Sequence, residues 1–151
     1  MKLDRREFAF GGVAAVIVAG LPAGLAGAQT AVQGWEEALK KIVGEAKPIE
    51  GKLIIDMPEI AENGNTVPFS ISVDSPMTEK DHVRAIHIIS TGNPQPGVGT
   101  FRFTPQSGKA AVSSRMRLAR TQDVIGVAEL SDGKFLLTKR PVRVTIGGCG
   151  G

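Results

Sequence analysis

The chain has 151 residues, with 18 Lys and Arg against 15 Asp and Glu for a net charge of +3, one Cys, two His, one Trp and no Tyr. A single cysteine rules out an internal disulfide framework, and so few aromatics make nucleic acid a poor partner. The length suits one domain with a proper core once any leader is removed.

Asp4-Arg5-Arg6-Glu7-Phe8 opens a charged region, and from Phe8 to Leu25 the residues are apolar or small and carry no charge. This is the pattern of an export signal. Ala26-Gly27-Ala28 supplies the small-x-small motif of a signal peptidase site, so cleavage is expected before Gln29. The paired arginines ahead of Phe8 resemble a twin-arginine signal, although Asp4 stands where Ser or Thr is usual and Ala9 where a larger apolar residue is usual. Gly11, Gly12, Gly20, Pro22, Gly24 and Gly27 dilute the apolar stretch and argue against a retained membrane helix. The residue directly after the expected cleavage site is Gln29 and not a cysteine, which argues against a lipoprotein.

Charge in the remainder is split. Gln29 to Thr100 carries six basic and ten acidic residues, whereas Phe101 onward carries nine basic and three acidic. The half that bears the cysteine is basic, which fits a solvated strand face for any single residue and, for the cluster as a whole, attraction of anionic substrates or acidic partners.

Between Gly34 and Gly44, Trp35, Leu39, Ile42 and Val43 recur at helical spacing, opposite Glu36, Glu37, Lys40 and Lys41. One amphipathic helix is predicted, its acids early and its lysines late as the helix dipole favours. Trp35 is read as a core anchor or a partner contact. After Pro48 the pattern changes to short β-branched and aromatic runs. Leu53–Met57, Thr66–Val73, His82–Ser90, Gly99–Thr104, Ala111–Leu118, Val124–Leu130 and Lys134–Ile146 are predicted strands. Val67, Phe69, Ile71 and Val73 share one face of theirs. Asp132-Gly133 joins the last two as a hairpin in which both central positions can take positive φ, and Pro141 marks an edge or a bulge. Seven short strands without alternating helices predict a mainly β fold: an immunoglobulin-like antiparallel β-sandwich with one N-terminal amphipathic helix and a flexible C-terminal tail. The expected organisation is a cleaved signal over residues 1–28, one domain over 29–146 and a mobile arm over 147–151.

Much familiar site chemistry is missing. His82 and His87 are an odd number of positions apart in a predicted strand, so they point to opposite faces and cannot jointly hold a metal. Met57, Met77 and Met116 are scattered and read as core filler rather than a copper site. The Gly-x-Gly pattern at Gly97 and Gly99 lacks the strand-turn-helix context of a phosphate loop. Asp74 to His82 reads as a solvated acidic loop, with partner docking as the alternative.

The informative segment is Gly147-Gly148-Cys149-Gly150-Gly151. Glycines add backbone freedom that folding would have to remove, so the arm is expected to stay mobile. At 3.3 to 3.6 Å per extended residue it would carry sulfur on the order of 15 Å past the last strand. A catalytic thiol needs a fixed pocket with its partners beside it, so this setting suits delivery rather than hydrolysis. An unpaired exported thiol is a chemical handle, for another chain's cysteine, a small sulfur compound or a metal.

The chain resembles the SoxY family of bacterial thiosulfate oxidation. The resemblance rests on Val73-Asp74-Ser75-Pro76-Met77-Thr78-Glu79 with His82-Val83, on Asn93-Pro94-Gln95-Pro96, and on Phe101-Arg102-Phe103-Thr104-Pro105. It continues through Thr121-Gln122-Asp123-Val124-Ile125 and Glu129-Leu130-Ser131-Asp132-Gly133 to Val144-Thr145-Ile146 and the glycine-flanked cysteine. It implies a periplasmic, immunoglobulin-like subunit paired with a SoxZ-like subunit, acting as a carrier rather than an enzyme and needing no cofactor or metal. It also implies that Cys149 holds the substrate covalently, on the flexible arm of Gly147, Gly148, Gly150 and Gly151. A haem conjugating enzyme, a sulfate-releasing hydrolase and a sulfur dehydrogenase would act on that substrate in turn. Neither nucleic acid nor, after signal cleavage, a membrane is an expected partner. Two other readings stay open: a ubiquitin-like sulfur carrier using the Gly151 carboxylate, and an exported structural module that dimerises through Cys149.

Overall fold

The seven predicted runs become the longer strands of two sheets, and a computed structural model describes residues 34–148 of the chain. The expected leader, its cleavage point and residues 149–151 lie outside the described residues. Helix α1 (Trp35–Val43) is followed by β1 (Ile49–Glu50), β2 (Leu53–Asp56), β3 (Ile60–Ala61), β4 (Val67–Val73), β5 (Val83–Ser90), β6 (Gly97–Arg102), β7 (Ala110–Met116), β8 (Gln122–Leu130) and β9 (Phe135–Val144). A 3-10 turn, Pro105–Ser107, links β6 to β7. The larger sheet runs β1-β9-β8-β5-β6 with β3 also on β9, and the smaller runs β2-β4-β7. The fold is the mainly β sandwich that the sequence predicts, with antiparallel long strands.

Alternation explains the core. In β4 the buried residues are Val67, Phe69, Ile71 and Val73, facing Ile86, Ile88, Val124 and Ala128 of the larger sheet. Gly126 makes room between the layers: a Cβ there would lie 2.6 Å from Ile71 Cδ1 and 3.0 Å from Ile55 Cδ1. Met57, Met77 and Met116 fill the same core, as expected. Met77 does so from the loop after β4, in the left-handed region at φ 51°.

The second face of the larger sheet is covered by α1. Trp35, Ala38, Leu39, Ile42 and Val43 pack on Ile89, Ile125 and Val127, with Phe135 and Leu137 alongside. This explains why β5 and β8 are buried on both faces. Nine residues make a helix too short to be stable alone, so this packing is what holds it. Trp35 is an anchor against the sheet.

Two details differ from the sequence reading. The parallel pairs Ile49↔Leu136, Glu50↔Leu137, Ile60↔Arg143 and Ala61↔Val144 add short strands β1 and β3 beside β9. Pro141 falls between those pairings, where that side of β9 has no strand partner among the described residues, so its missing N–H disturbs no ladder. At the hairpin only Gly133 has positive φ, 83°. Leu130 N–H donates to the Lys134 carbonyl and Gly133 N–H to that of Leu130, closing a three-residue loop with glycine in the left-handed position. Asp132 Oδ1 accepts from Lys134 N–H, which holds its carboxyl below the ordinary range with help from the Lys134 ammonium.

Candidate functional site

Beyond β9 the backbone does not leave the domain at once. Val144 N–H donates to Thr121 Oγ1 at 3.0 Å, Thr145 N–H to the Ala61 carbonyl at 3.0 Å, and the Thr145 hydroxyl to the Glu62 carbonyl at 3.0 Å. The chain then threads between the loop before β4 and the loop after β7. Gly64 N–H donates to the Ile146 carbonyl at 2.7 Å, Leu118 N–H to the Gly64 carbonyl at 2.8 Å, and Gly148 N–H to the Leu118 carbonyl at 2.9 Å.

This corrects the expectation that the free arm begins at Gly147. Gly148 is buried. A Cβ on Gly147 would stand 2.2 Å from the Ala119 carbonyl oxygen, and one on Gly148 2.7 Å from that of Gly64. Gly64 is equally closed, since its Cβ would fall 2.2 Å from the Leu118 oxygen and 2.7 Å from Gly148 N. These glycines permit close backbone packing, the opposite use of the residue from freedom. Cys149, Gly150 and Gly151 lie outside the described residues.

The seat is held from below by two buried amides. Asn93 and Gln122 are 3% and 8% exposed, in a core otherwise almost wholly apolar. Asn93 Nδ2 donates to the Arg117 carbonyl at 2.8 Å, and Asn93 Oδ1 accepts from Ala119 N–H at 2.9 Å and Gln122 Nε2 at 2.7 Å. Gln122 Nε2 also donates to the Arg120 carbonyl at 3.1 Å, while its Oε1 accepts from Gly92 N–H at 2.7 Å. Buried amides satisfied in this way specify a backbone path, because leaving any one partner unmade is costly. Sequence reasoning gave neither residue a role, although both fall in the segments that carry the family resemblance.

Arg117 and Arg120 bracket the seat and are exposed. Neither forms an ion pair among the described residues, where Arg84–Glu129, Lys134–Asp132, Lys139–Asp123 and Arg140–Glu59 are the pairs found. The histidines are elsewhere. His82 Nδ1 contacts the Thr78 carbonyl at 3.0 Å, and His87 Nδ1 contacts Thr100 Oγ1 at 2.9 Å. His87 lies beside α1 in a groove it lines with Ala38, Ile42 and Val98, with Nε2 buried and unpartnered. Burial pushes its pKa below the ordinary value; Glu129 opposes that shift and Arg102 adds to it. No group of three or more His, Cys, Asp or Glu among the described residues is disposed to hold a metal.

The family model for the sulfur oxidation protein SoxY matches residues 39–149. The solved structure of the sulfur carrier protein SoxY from Chlorobium limicola f thiosulfatophilum is similar at 33% identity and TM-score 0.62, over 74% of this chain and 96% of that one. Superoxide reductases from Ignicoccus hospitalis (15% identity, TM-score 0.56, 62% of this chain and 79% of that one) and Nanoarchaeum equitans (11%, 0.54, 64% and 99%) share the fold alone. No curated protein matches the chain.

Proposed function

The chain belongs to the SoxY family, and from that premise we propose that it is a periplasmic carrier which holds thiosulfate-derived sulfur covalently on Cys149 and presents it to successive enzymes. The observation that carries this reading is that the family match runs to Cys149 itself, the one thiol of the chain, directly after the seated Gly147 and Gly148.

The chemistry follows from sulfur. The Cys149 thiolate and the terminal sulfur of thiosulfate form an S–S bond, and two electrons pass to a haem conjugating enzyme. Water then cleaves the bond between the outer sulfur and the sulfonate group at a sulfate-releasing hydrolase, giving sulfate, two protons and a persulfide still attached to Cys149. A sulfur dehydrogenase removes six electrons from the persulfide's outer sulfur as three waters supply oxygen and six protons leave. A second hydrolysis frees sulfate and regenerates the thiolate. The thiolate is the reactive form, and Arg117 and Arg120 supply positive charge beside the arm's root that favours it and its anionic adducts.

A SoxZ-like subunit is the expected structural partner. Residues 1–28 serve as a cleaved export leader, of twin-arginine type. The test is Cys149→Ser in a reconstituted system. Folding and partner binding should persist while substrate attachment and thiosulfate-dependent turnover disappear; turnover that survives the substitution rejects the assignment.

A further inference from the structure

We propose that Asn93 and Gln122 are positioning residues of the carrier arm: through the loop between β7 and β8 they fix the seat on which Gly148 is held, and so fix the point from which the thiol is offered. The inference rests on the carrier reading above and adds to it a geometric limit. An uninterrupted series of contacts runs from the buried amides to the residue before the cysteine. Asn93 grips the backbone on both sides of Leu118, at the Arg117 carbonyl and at Ala119 N–H. Gln122 braces Asn93 and the Arg120 carbonyl. Leu118, held between them, uses its N–H on Gly64 and its carbonyl on Gly148.

While the seat is made, the thiol is bounded. Whatever conformation Cys149 adopts, one Cα–Cα step and one short side chain keep its sulfur within roughly 6 to 7 Å of Gly148 Cα. That is less than half the reach of a five-residue free tether. A visiting enzyme must therefore come up to the loops around the seat, where Arg117 and Arg120 are exposed, and cannot simply collect a long arm. Asn93 and Gln122 touch no substrate; they act through the backbone of Leu118.

The single cysteine gives a direct test. A nitroxide label on Cys149 of the full mature chain reports the motion of the root by electron paramagnetic resonance. Asn93→Leu and Gln122→Met keep shape and remove the hydrogen bonds. Each should raise the mobile fraction of the label several-fold, on the order of the tenfold shift that loss of one buried hydrogen bond gives in an equilibrium. Handoff to the processing enzymes should fall by a similar factor, while the unlabelled thiol keeps its rate toward methyl methanethiosulfonate. Gly126→Ala, a core change away from the seat, controls for stability and should leave the label unaltered. Should Asn93→Leu fail to fold, Gln122→Met carries the same reading, because it leaves the Asn93 bonds to Arg117 and Ala119 in place. A label unmoved by the folded variants, or mobilised equally by Gly126→Ala, overturns the proposal. Because the label needs no sulfur cargo, a response without any adduct on the unlabelled protein rejects the carrier reading and leaves the seat standing.

Discussion

Gly148 donates its backbone N–H to the carbonyl of Leu118 at 2.9 Å, and in the same place its Cα faces the Gly64 backbone so closely that a Cβ would lie 2.7 Å from the Gly64 oxygen. The residue next to the cysteine is thus part of the domain. Gly148→Ala should break this seat without unfolding the sandwich. Amide exchange at residues 64 and 148 should speed up by about tenfold or more, while the melting temperature moves by only a few degrees. Unchanged exchange in the variant contradicts the packing described.

Glycines at two other positions separate rigid from yielding neighbours. A Cβ on Gly64 meets main-chain atoms of Leu118 and Gly148, whereas one on Gly126 meets the ends of Ile71 and Ile55, which can rotate aside. In urea unfolding, Gly64→Ala should cost about 2 kcal/mol and Gly126→Ala about 1 kcal/mol or less. The reverse order would show that the loop before β4 gives way more easily than the core.

Gly150 tests access from the other side of the thiol. Gly150→Leu should leave the rate of Cys149 with a small alkylating reagent within about twofold and slow transfer to the processing enzymes by about tenfold, since only a narrow channel senses the added bulk. Equal slowing of both reactions would assign the effect to the thiol itself.

His87 predicts a pH dependence. Its folded pKa is held below the ordinary value near 6.5, chiefly by burial, so the unfolded chain takes up the proton first as pH falls. Stability present above pH 6.5 is therefore lost progressively below it. Thermal melts between pH 7.5 and about 5 should show this decline, and His87→Gln, which cannot charge, should flatten it. A slope identical in both proteins would place the titrating group elsewhere.

Much of the fold is legible because period-two burial is written into segments such as Val67–Val73, and the α1 stripe from Trp35 to Val43 reads directly as a helix face. Strands Ile49–Glu50 and Ile60–Ala61 are not legible, since two residues carry no period and their pairing with β9 is set by tertiary packing. The tail shows a deeper ambiguity. Lack of a side chain reads as freedom in a sequence, yet at Gly147 and Gly148 the same lack lets backbone meet backbone, and only the fold distinguishes the two uses. Asn93 and Gln122 lie near one another solely because the loop after β5 crosses the start of β8, where Thr91 N–H donates to the Asp123 carbonyl at 3.0 Å. Their polar side chains alone gave no sign of burial.

The most direct test of the central claim is the intact mass of the protein taken from cells consuming thiosulfate, before and after a thiol reductant. The account predicts a reductant-labile addition of one small sulfur group, mapped to Cys149 and absent from Cys149→Ser. Protein that carries only an unmodified thiol, or is joined through it to a second chain with no small adduct, would contradict it.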